Sequence, residues 1–448
     1  MRGLKSTLAL VVVLIGLGAY IYFVTWKQPA DTTKQEKVFV SVQADKIDSV
    51  TVKAASGETT TLQKKGGAWT ITAPIDAKAD ESEVSGITSN LASLDVVRVI
   101  DEKPANLKLY GLETPRIEIT FKGEGDKSDH RLFIGDKSPT GADLFARRDD
   151  AKRVFLIPAF QESTFNRTTF DLRDKTLLTF DREKVDAVTV EAADAKPVEV
   201  AKSGSDWKLE KPVETKADYG AVEGLIGRLQ TVQMKSIVTD KPSPADLKTY
   251  GLDKPQATVT LHLGSARAEL LLGGKAPDNS VYARDSSRPM VMTVESALLD
   301  DLKKGPDALR NKDIFEFRAY NANKIEVTRN GQTIAFEKVK GQGKDAQDKW
   351  RRTSPAAKDV DKDTMDGFLT KLANMRAASF VDTTAKTGLD KPALAVHVTF
   401  DDGKKQERVS FGRNGTDVYA SRPDEPGAAK IDSTDFDTAA KQLDELSK

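Results

Sequence analysis

Histidine is the first residue type to consider for acid–base or metal chemistry, and this chain has only three. His262 and His397 lie seven and five residues after a recurring proline, and His130 falls in a later predicted strand. Neighbouring positions on a strand point to opposite faces, so the three histidines do not share one place in a repeated fold. The chain has no HExxH spacing and no cysteine, which excludes thiolate metal sites, disulfides and cysteine nucleophiles.

Paired carboxylates could act as a general acid and base, and Asp-Asp occurs at 149–150, 300–301 and 401–402. Catalytic carboxylates must converge in space, which adjacency in sequence does not provide, so we interpret these pairs as solvated turns. GxSxG, P-loop and GxGxxG patterns are absent from the sequence. The sequence therefore predicts no catalytic, metal-binding or cofactor-binding residue. A hydrolase site confined to one part of the chain stays open as an alternative.

The charges of the chain are numerous but balanced, with 68 basic and 68 acidic residues among 448. A net charge of zero gives no electrostatic reason to expect nucleic acid as a partner. The mean hydropathy of −0.44 describes a hydrophilic bulk. By length, the chain is expected to contain two to four domains.

The N-terminus is the apolar exception, because residues 6–26 carry no charge. At about 1.5 Å per residue, a helix of this length spans a bilayer core. Arg2 and Lys5 precede the run, and aromatic residues crowd its far end. We interpret residues 1–26 as a basic cytoplasmic tip with a transmembrane signal anchor, and residues 27–40 as a polar tether, which places residues 27–448 outside the cytoplasm. A cleaved signal peptide is the alternative.

An internal triplication organises the rest of the chain. The pentapeptide GLDKP stands at 251–255 and again at 388–392, and GLETP stands at 111–115. A tryptophan followed five residues later by proline precedes each copy, and FIGDK, LLGGK and SFGRN follow them in order. The predicted modules are residues 41–178, 179–318 and 319–448. The repeated tryptophans are Trp69, Trp207 and Trp350.

Each module is predicted to combine short strands with an amphipathic helix that begins after Asp80, Asp218 or Asp361. In the first copy, Glu83 is expected to complete a capping box with Asp80. The apolar positions of the three helices share one spacing, which indicates one buried face: Val84, Ile87, Leu91, Leu94; Val222, Leu225, Leu229, Val232; Met365, Phe368, Leu372, Met375. Helices segregated among antiparallel strands predict an α+β fold.

The pentapeptide is interpreted as a helix stop followed by a strand start. Gly111 and Gly251 are predicted to take the left-handed position that glycine adopts most easily, and Gly388 is the matching glycine of the third copy. The leucine after each glycine is expected to fold back as the apolar contact of a Schellman motif, and the proline prevents the helix from restarting. The motif is therefore predicted to be structural.

A polar motif recurs at the end of the first two modules, as Leu-Arg-Asp-Lys and Leu-Arg-Asn-Lys. It contributes Arg173 and Lys175 to the first module and Arg310 and Lys312 to the second. We interpret the arginines as capping the closing helix or pairing with an acid of the next module. Binding of a partner protein is the alternative.

The repeated W-x-x-x-x-P, GL-[DE]-x-P and LR-[DN]-K landmarks resemble the bacterial family of unknown function numbered 4340, over residues 41–448. The resemblance implies a single-pass protein of the bacterial inner membrane, and for some members an association with ABC transporters of the gliding-motility type. It assigns no catalytic residue. The third module departs from the pattern, because it lacks the tyrosine before Gly388 and has no LR-[DN]-K segment.

The function expected from these features is that of a non-catalytic, membrane-anchored accessory or scaffold protein. Its expected partners are the inner membrane, through residues 6–26, and integral-membrane transporter subunits. A periplasmic module that binds a wall polymer is the alternative, with Phe145, Tyr282 and Tyr419 as candidate contacts.

Overall fold

The computed structural model describes residues 36–341 and 348–448, which divide into two compact units at Lys175 and Thr176. The first unit holds one nine-stranded sheet and the second holds two. We call each sheet with its helices a module and number the modules 1 to 3 along the chain. The first unit is thus module 1, and the second unit contains modules 2 and 3.

The strands of the three modules have these bounds. Module 1 contains β1 (Ile47–Lys53), β2 (Thr59–Lys65), β3 (Ala68–Ala73), β4 (Ala77–Lys78), β5 (Arg98–Asp101), β6 (Ile117–Gly123), β7 (His130–Lys137), β8 (Asp143–Arg148) and β9 (Val154–Pro158). Module 2 contains β10 (Ala187–Ala192), β11 (Val198–Ser203), β12 (Asp206–Lys211), β13 (Thr215–Lys216), β14 (Ser236–Thr239), β15 (Ala257–Leu263), β16 (Ala266–Ala276), β17 (Ser280–Asp285) and β18 (Val291–Glu295). Module 3 contains β19 (Ala322–Arg329), β20 (Gln332–Val339), β21 (Lys349–Ser354), β22 (Lys358–Asp359), β23 (Ala377–Val381), β24 (Leu394–Phe400), β25 (Lys405–Asn414), β26 (Asp417–Ser421) and β27 (Ala428–Ile431).

Among the described residues the helices are few, and most of them are short. They are α1 (Glu81–Ser93), α2 (Gln161–Phe165) and α3 (Thr169–Leu172) in module 1; α4 (Tyr219–Thr231), α5 (Pro244–Thr249) and α6 (Ser296–Leu302) in module 2; and α7 (Lys362–Ala373) and α8 (Ser433–Ser447) in module 3. Short 3₁₀ helices occur at Ala44–Lys46, Leu107–Tyr110, Arg182–Lys184 and Pro306–Ala308.

The three sheets have one topology. In module 1 the order across the sheet is β4-β3-β2-β1-β6-β7-β8-β9-β5, and modules 2 and 3 repeat it strand for strand. Neighbouring strands are antiparallel, as in the β1–β6 and β10–β15 pairs. The strand after the long helix crosses to the far edge and pairs with the last strand of the module. The internal repeat is therefore a repeat of a complete sheet.

The predicted α+β fold class is wrong for the residues that the structure describes. Each module is one continuous nine-stranded antiparallel sheet with few helices, because strands adjacent in the chain pair with each other and leave the long helix to cover one face. The predicted anchor, residues 6–26, lies outside the described residues. Among the residues that are described, no helix is long and apolar enough to cross a membrane.

The amphipathic helices bury the predicted face. Their apolar residues share a core with alternate residues of the central strands, such as Val50 and Val52 in module 1. Eleven of the twelve positions that were predicted to be buried are buried, and Leu225 of module 2 is the exception. The apolar helix face and the inward-facing strand residues thus pack into one core in each module, except at Leu225 of module 2.

The helices begin as the sequence predicts. Asp80 accepts hydrogen bonds from the amides of Ser82 and Glu83, and Asp218 and Asp361 accept one from the third residue of their helices. The Glu83 side chain does not complete the predicted capping box. Instead it forms an ion pair with Arg167 at 2.8 Å.

Candidate functional site

The three repeated tryptophans are core residues. Trp69, Trp207 and Trp350 are all buried. The proline that follows each of them has a cis peptide bond, at Pro74, Pro212 and Pro355. The Trp207 indole N–H donates to Glu223 Oε1 at 3.0 Å, so its polar edge is also satisfied inside module 2. The tryptophan and proline landmarks therefore belong to the fold, not to a binding surface.

Gly111 and Gly251 have the predicted left-handed backbone, and Gly388 has it too. The φ angles of Gly111, Gly251 and Gly388 are +66°, +66° and +75°. In module 2, the Gly251 amide donates to the Lys248 carbonyl and the Leu252 amide to the Leu247 carbonyl, as a Schellman motif requires. Module 1 repeats this pair of hydrogen bonds, although there the turn ends a 3₁₀ helix.

A second recurring glycine faces each of these turns, and sequence reasoning missed its role. A Cβ atom at Gly135, Gly273 or Gly412 would lie 2.1–2.4 Å from a backbone oxygen of the turn. Only glycine allows the strand to approach the turn this closely. The role of this glycine could have been inferred from the aligned FIGDK, LLGGK and SFGRN segments, since each of them contains it. The two glycines together explain why both motifs recur.

The two Leu-Arg-[Asp/Asn]-Lys segments occupy the same place in their modules. Arg173 forms a backbone bridge with Ala79, and Arg310 forms the matching bridge with Ala217. The Lys175 ammonium donates to the Asp171 carbonyl at 2.7 Å. In the second copy, the backbone oxygen of Lys312 accepts a hydrogen bond from the Ala377 amide of module 3. The motif thus closes each module against the start of its long helix.

The side chain of Arg310 reaches from module 2 into module 3. It is only 7% exposed and forms an ion pair with Glu425 at 3.2 Å. A second hydrogen bond reaches the carbonyl of Pro426 at 3.4 Å, and the guanidinium carbon lies 3.9 Å from the centroid of the Phe380 ring. A planar cation can stack and form hydrogen bonds at once, which suits arginine and not lysine. Arg310 therefore pairs with an acid of the next module, as the preferred interpretation of the motif expects.

Further charged pairs cross from module 2 to module 3 around Arg310, and we call this region the module 2–3 junction. Lys196 approaches Asp382 at 2.9 Å, Lys216 approaches Glu316 at 3.5 Å, and Arg376 approaches Asp218 at 3.6 Å. Arg422 of module 3 is largely buried and contacts Glu316 at 3.4 Å. Arg310 is the most buried of these charged side chains.

A buried carboxylate supports the junction from inside module 3. Glu407 on β25 accepts hydrogen bonds from the backbone amides of Glu316 and Phe317, at 2.8 and 2.9 Å. Burial raises the pKa of Glu407 above its usual value, while these two amides and nearby Arg422 oppose the rise. Glu407 thereby holds the segment that enters module 3 against the sheet.

The three histidines have separate surroundings. His130 lies 3.7 Å from Asp126, His262 lies 3.1 Å from Thr189, and His397 lies 3.1 Å from Glu326. Within the described ranges, no three histidine or acidic side chains are grouped so that they could hold a metal ion. The histidines thus belong to local strand surfaces.

The aromatic candidates for polymer binding are half-buried. Phe145 packs edge-on against Tyr110 with ring centroids 5.1 Å apart, and Tyr282 lies 4.5 Å from Tyr250. Tyr419 is also half-buried, and its hydroxyl lies 3.5 Å from Asp417. In modules 1 and 2 these rings cover the tyrosine that precedes the pentapeptide.

Module 2 contains an apolar cavity of about 230 Å³. It lies beside Leu225, the helix position that is not fully buried, and is lined by Val190, Val198, Ala221, Gly224, Leu225, Leu302 and Leu309. Charged residues stand at its rim, including Arg228 and Asp301, which approach each other at 2.9 Å. Sequence reasoning did not find this cavity.

Comparison with known proteins identifies a family but no activity. A family model described as "Domain of unknown function (DUF4340)" matches residues 69–209, 207–392 and 350–448. No curated protein matches the chain. Two crystal structures of the DNA polymerase sliding clamp from Pseudomonas aeruginosa, one with a ligand, are 7% identical and cover 88% of this chain and 93% of theirs. Their TM-scores, 0.17 and 0.18, are too low to indicate a shared fold.

Proposed function

Because this chain belongs to the DUF4340 family of unknown function, we propose a role from its own features: a non-catalytic accessory or scaffold protein of a bacterial envelope transport complex. In this proposal, the charge-free residues 6–26 hold the protein at the inner membrane, and residues 27–448 lie outside the cytoplasm. The proposed partners are integral-membrane subunits of an ABC-type transporter, the class that the family resemblance suggests.

The module 2–3 junction is the observation that supports this role best. A scaffold must hold binding surfaces in a fixed relation, and two domains joined only by exposed charges would move against each other. Here a buried arginine contacts an acid, a carbonyl and an aromatic ring of the neighbouring module. Modules 2 and 3 therefore present their surfaces as one body, and an anchored body is concentrated near its membrane partner.

Crosslinking in intact cells tests the proposal. We would purify the full-length chain and a version in which residues 6–26 are replaced by a cleavable secretion signal, and identify the crosslinked proteins. Transporter subunits recovered with the full-length chain alone are the expected result. Recovery of the same subunits with both versions would mean that the anchor does not concentrate the protein near them, and recovery of no membrane protein would contradict the scaffold role.

Arg310→Ala provides a second test in the same cells. If the fixed relation of modules 2 and 3 matters for partner binding, this variant should yield fewer crosslinked subunits per molecule of folded protein recovered, a ratio that corrects for its lower stability. The matched control is Lys196→Ala, which removes an exposed ion pair from the same junction. Equal yields from the Arg310 variant and the wild type would refute the need for a rigid junction.

A further inference from the structure

The cavity of module 2 lies where module 1 is filled. The segments that close these two modules align without a gap, so that Arg173 matches Arg310 and Phe165 matches Leu302. Phe165 is fully buried in module 1. In module 2 the smaller Leu302 lines the cavity. A ring in one repeat is thus replaced by a shorter side chain and open space in the other.

Module 1 also ties its closing segment to the rest of the core through polar contacts. They join the closing segment to α1 and β2: Glu83 with Arg167 at 2.8 Å, Asn90 with Gln161 at 3.0 Å, and Thr60 with Thr169 at 2.7 Å. Each contact joins a core element to α2, to α3 or to the link between them. Together with Phe165, they leave α1 covered.

Module 2 has lost all three contacts at the aligned positions. The residues aligned with Glu83 and Arg167 are Ala221 and Lys304. Those aligned with Asn90 and Gln161 are Arg228 and Leu298, and those aligned with Thr60 and Thr169 are Val198 and Pro306. Four of these six residues line the cavity: Ala221, Lys304, Arg228 and Val198. The cavity therefore follows from a concerted change at several positions, and not from one small residue.

Module 3 fills the same place by another means. Its closing helix α8 lies along α7, where Lys371, which aligns with Arg228, binds Asp435 at 3.1 Å. Leu443 and Leu446 of α8 are buried in the core of module 3. Module 1 thus covers this helix face with a ring, and module 3 packs the leucines of α8 beside it, while an open groove lined by Gly367, Lys371 and Asp435 remains at its surface.

The charges at the rim of the cavity neutralise one another. Glu295 lies 3.1 Å from Arg228, Arg228 lies 2.9 Å from Asp301, and Asp301 lies 2.7 Å from Lys304. Two acids and two bases form one chain of ion pairs, so no net charge is left for a charged ligand group. The walls are apolar, and an occupant that suits them carries no charge.

We propose that the cavity of module 2 is a binding site for a small, uncharged, apolar molecule built around one ring. The size of the cavity agrees with this, since an engineered apolar cavity of about 150 Å³ stays dry and binds benzene, and this cavity has about 230 Å³. The ring of Phe165 in module 1 shows the kind of group that fills the matching place. This site does not depend on the scaffold role.

Toluene is the probe for the test. The full-length chain would be placed in lipid nanodiscs with labelled leucine and valine methyl groups, and toluene would be titrated while the methyl NMR signals are followed. The signals of Val190, Val198 and Leu225 should shift and saturate, whereas those of Leu372 in module 3 should not. Benzoate has the same ring with a carboxylate and should bind at least about tenfold more weakly, because the cavity would have to desolvate that charge.

Leu302→Phe is the decisive variant, since it restores the residue of module 1. Saturable shifts should disappear in this variant, while uptake of toluene by the lipid stays the same. If Leu302→Phe does not fold, Ala221→Glu serves instead, because it would place an acid beside Lys304 across the cavity. Equal saturable shifts in the wild type and in the folded variant would overturn the proposal, as would shifts that never saturate in the wild type.

Discussion

Replacement of Arg310 by alanine should destabilise the pair of modules 2 and 3 more than any other single change at the junction. The change leaves Glu425, which is 25% exposed, with Arg422 at 3.8 Å as its cation, and removes the guanidinium from the Phe380 ring. Removal of one partner of a buried ion pair costs about 3–5 kcal/mol. The value here should lie near about 3 kcal/mol, because water reaches Glu425 and because the Arg310 Nε atom has no hydrogen-bond partner among the described residues.

Urea unfolding and hydrogen exchange measure this prediction. The unfolding midpoint of Arg310→Ala should fall, and the Asn311 amide, which donates to the Lys216 carbonyl, should exchange faster. Arg310→Lys should recover only part of the loss, because an ammonium cannot stack and form two hydrogen bonds as the planar group does. Arg376→Ala is the matched control: its side chain is 57% exposed, and its loss should cost less than about 1 kcal/mol. Equal losses from the two alanine variants would refute the reasoning from burial.

Three further changes test other parts of the fold by urea unfolding. The wild type should lose stability relative to Glu407→Gln as pH rises from about 4 to 7, because a carboxyl whose folded pKa is raised stabilises the fold more when it is protonated than when it is ionised. The opposite slope would contradict this. Gly388→Ala should lower the free energy of unfolding by more than about 2 kcal/mol, because its Cβ would lie 2.3 Å from the Arg413 backbone oxygen. The control Gly415→Ala has a φ of +61° but open space around the new Cβ, and it should cost about 1 kcal/mol. Similar losses from the two variants would contradict the role of close approach. Phe165→Leu should cost about 1.5 kcal/mol by opening in module 1 a cavity like that of module 2, and an unchanged midpoint would contradict the comparison.

Local features of the fold were predictable from the sequence because their causes are local. The left-handed glycine of the pentapeptide, the Asp218 cap and the apolar face of α4 each depend on residues within a few positions of one another. The preferred role of Arg310 was also predictable, since a cation that recurs where one module ends is well placed to meet the next. Its partners were not, because Glu425 lies 115 residues further along the chain.

The fold class was wrong for a different reason. Long helices have a strong period and stand out in a sequence, whereas β4, β13 and β22 have two residues each and no period at all. Strands of this kind are defined by their partners across the sheet, so pairing and not composition decides that they exist. The cavity was missed for the same reason, because Ala221, Val198 and Leu302 are unremarkable hydrophobic residues until the sheet brings them together.

Because the three modules share one topology, a comparison of their aligned residues separates those that serve the fold from those that are particular to one module. Residues that all three modules share, such as Gly251 and Trp207, preserve the backbone turn and the core, and so they mark the fold. A position at which one module has a different residue from the other two does not have to preserve that turn or that core packing. Leu225 is such a position, since its counterparts Ile87 and Phe368 are fully buried while it faces a cavity. Three aligned positions carry smaller or less polar side chains in module 2, namely Ala221, Val198 and Leu302, and this is why module 2 is the part of the chain in which a ligand should be sought.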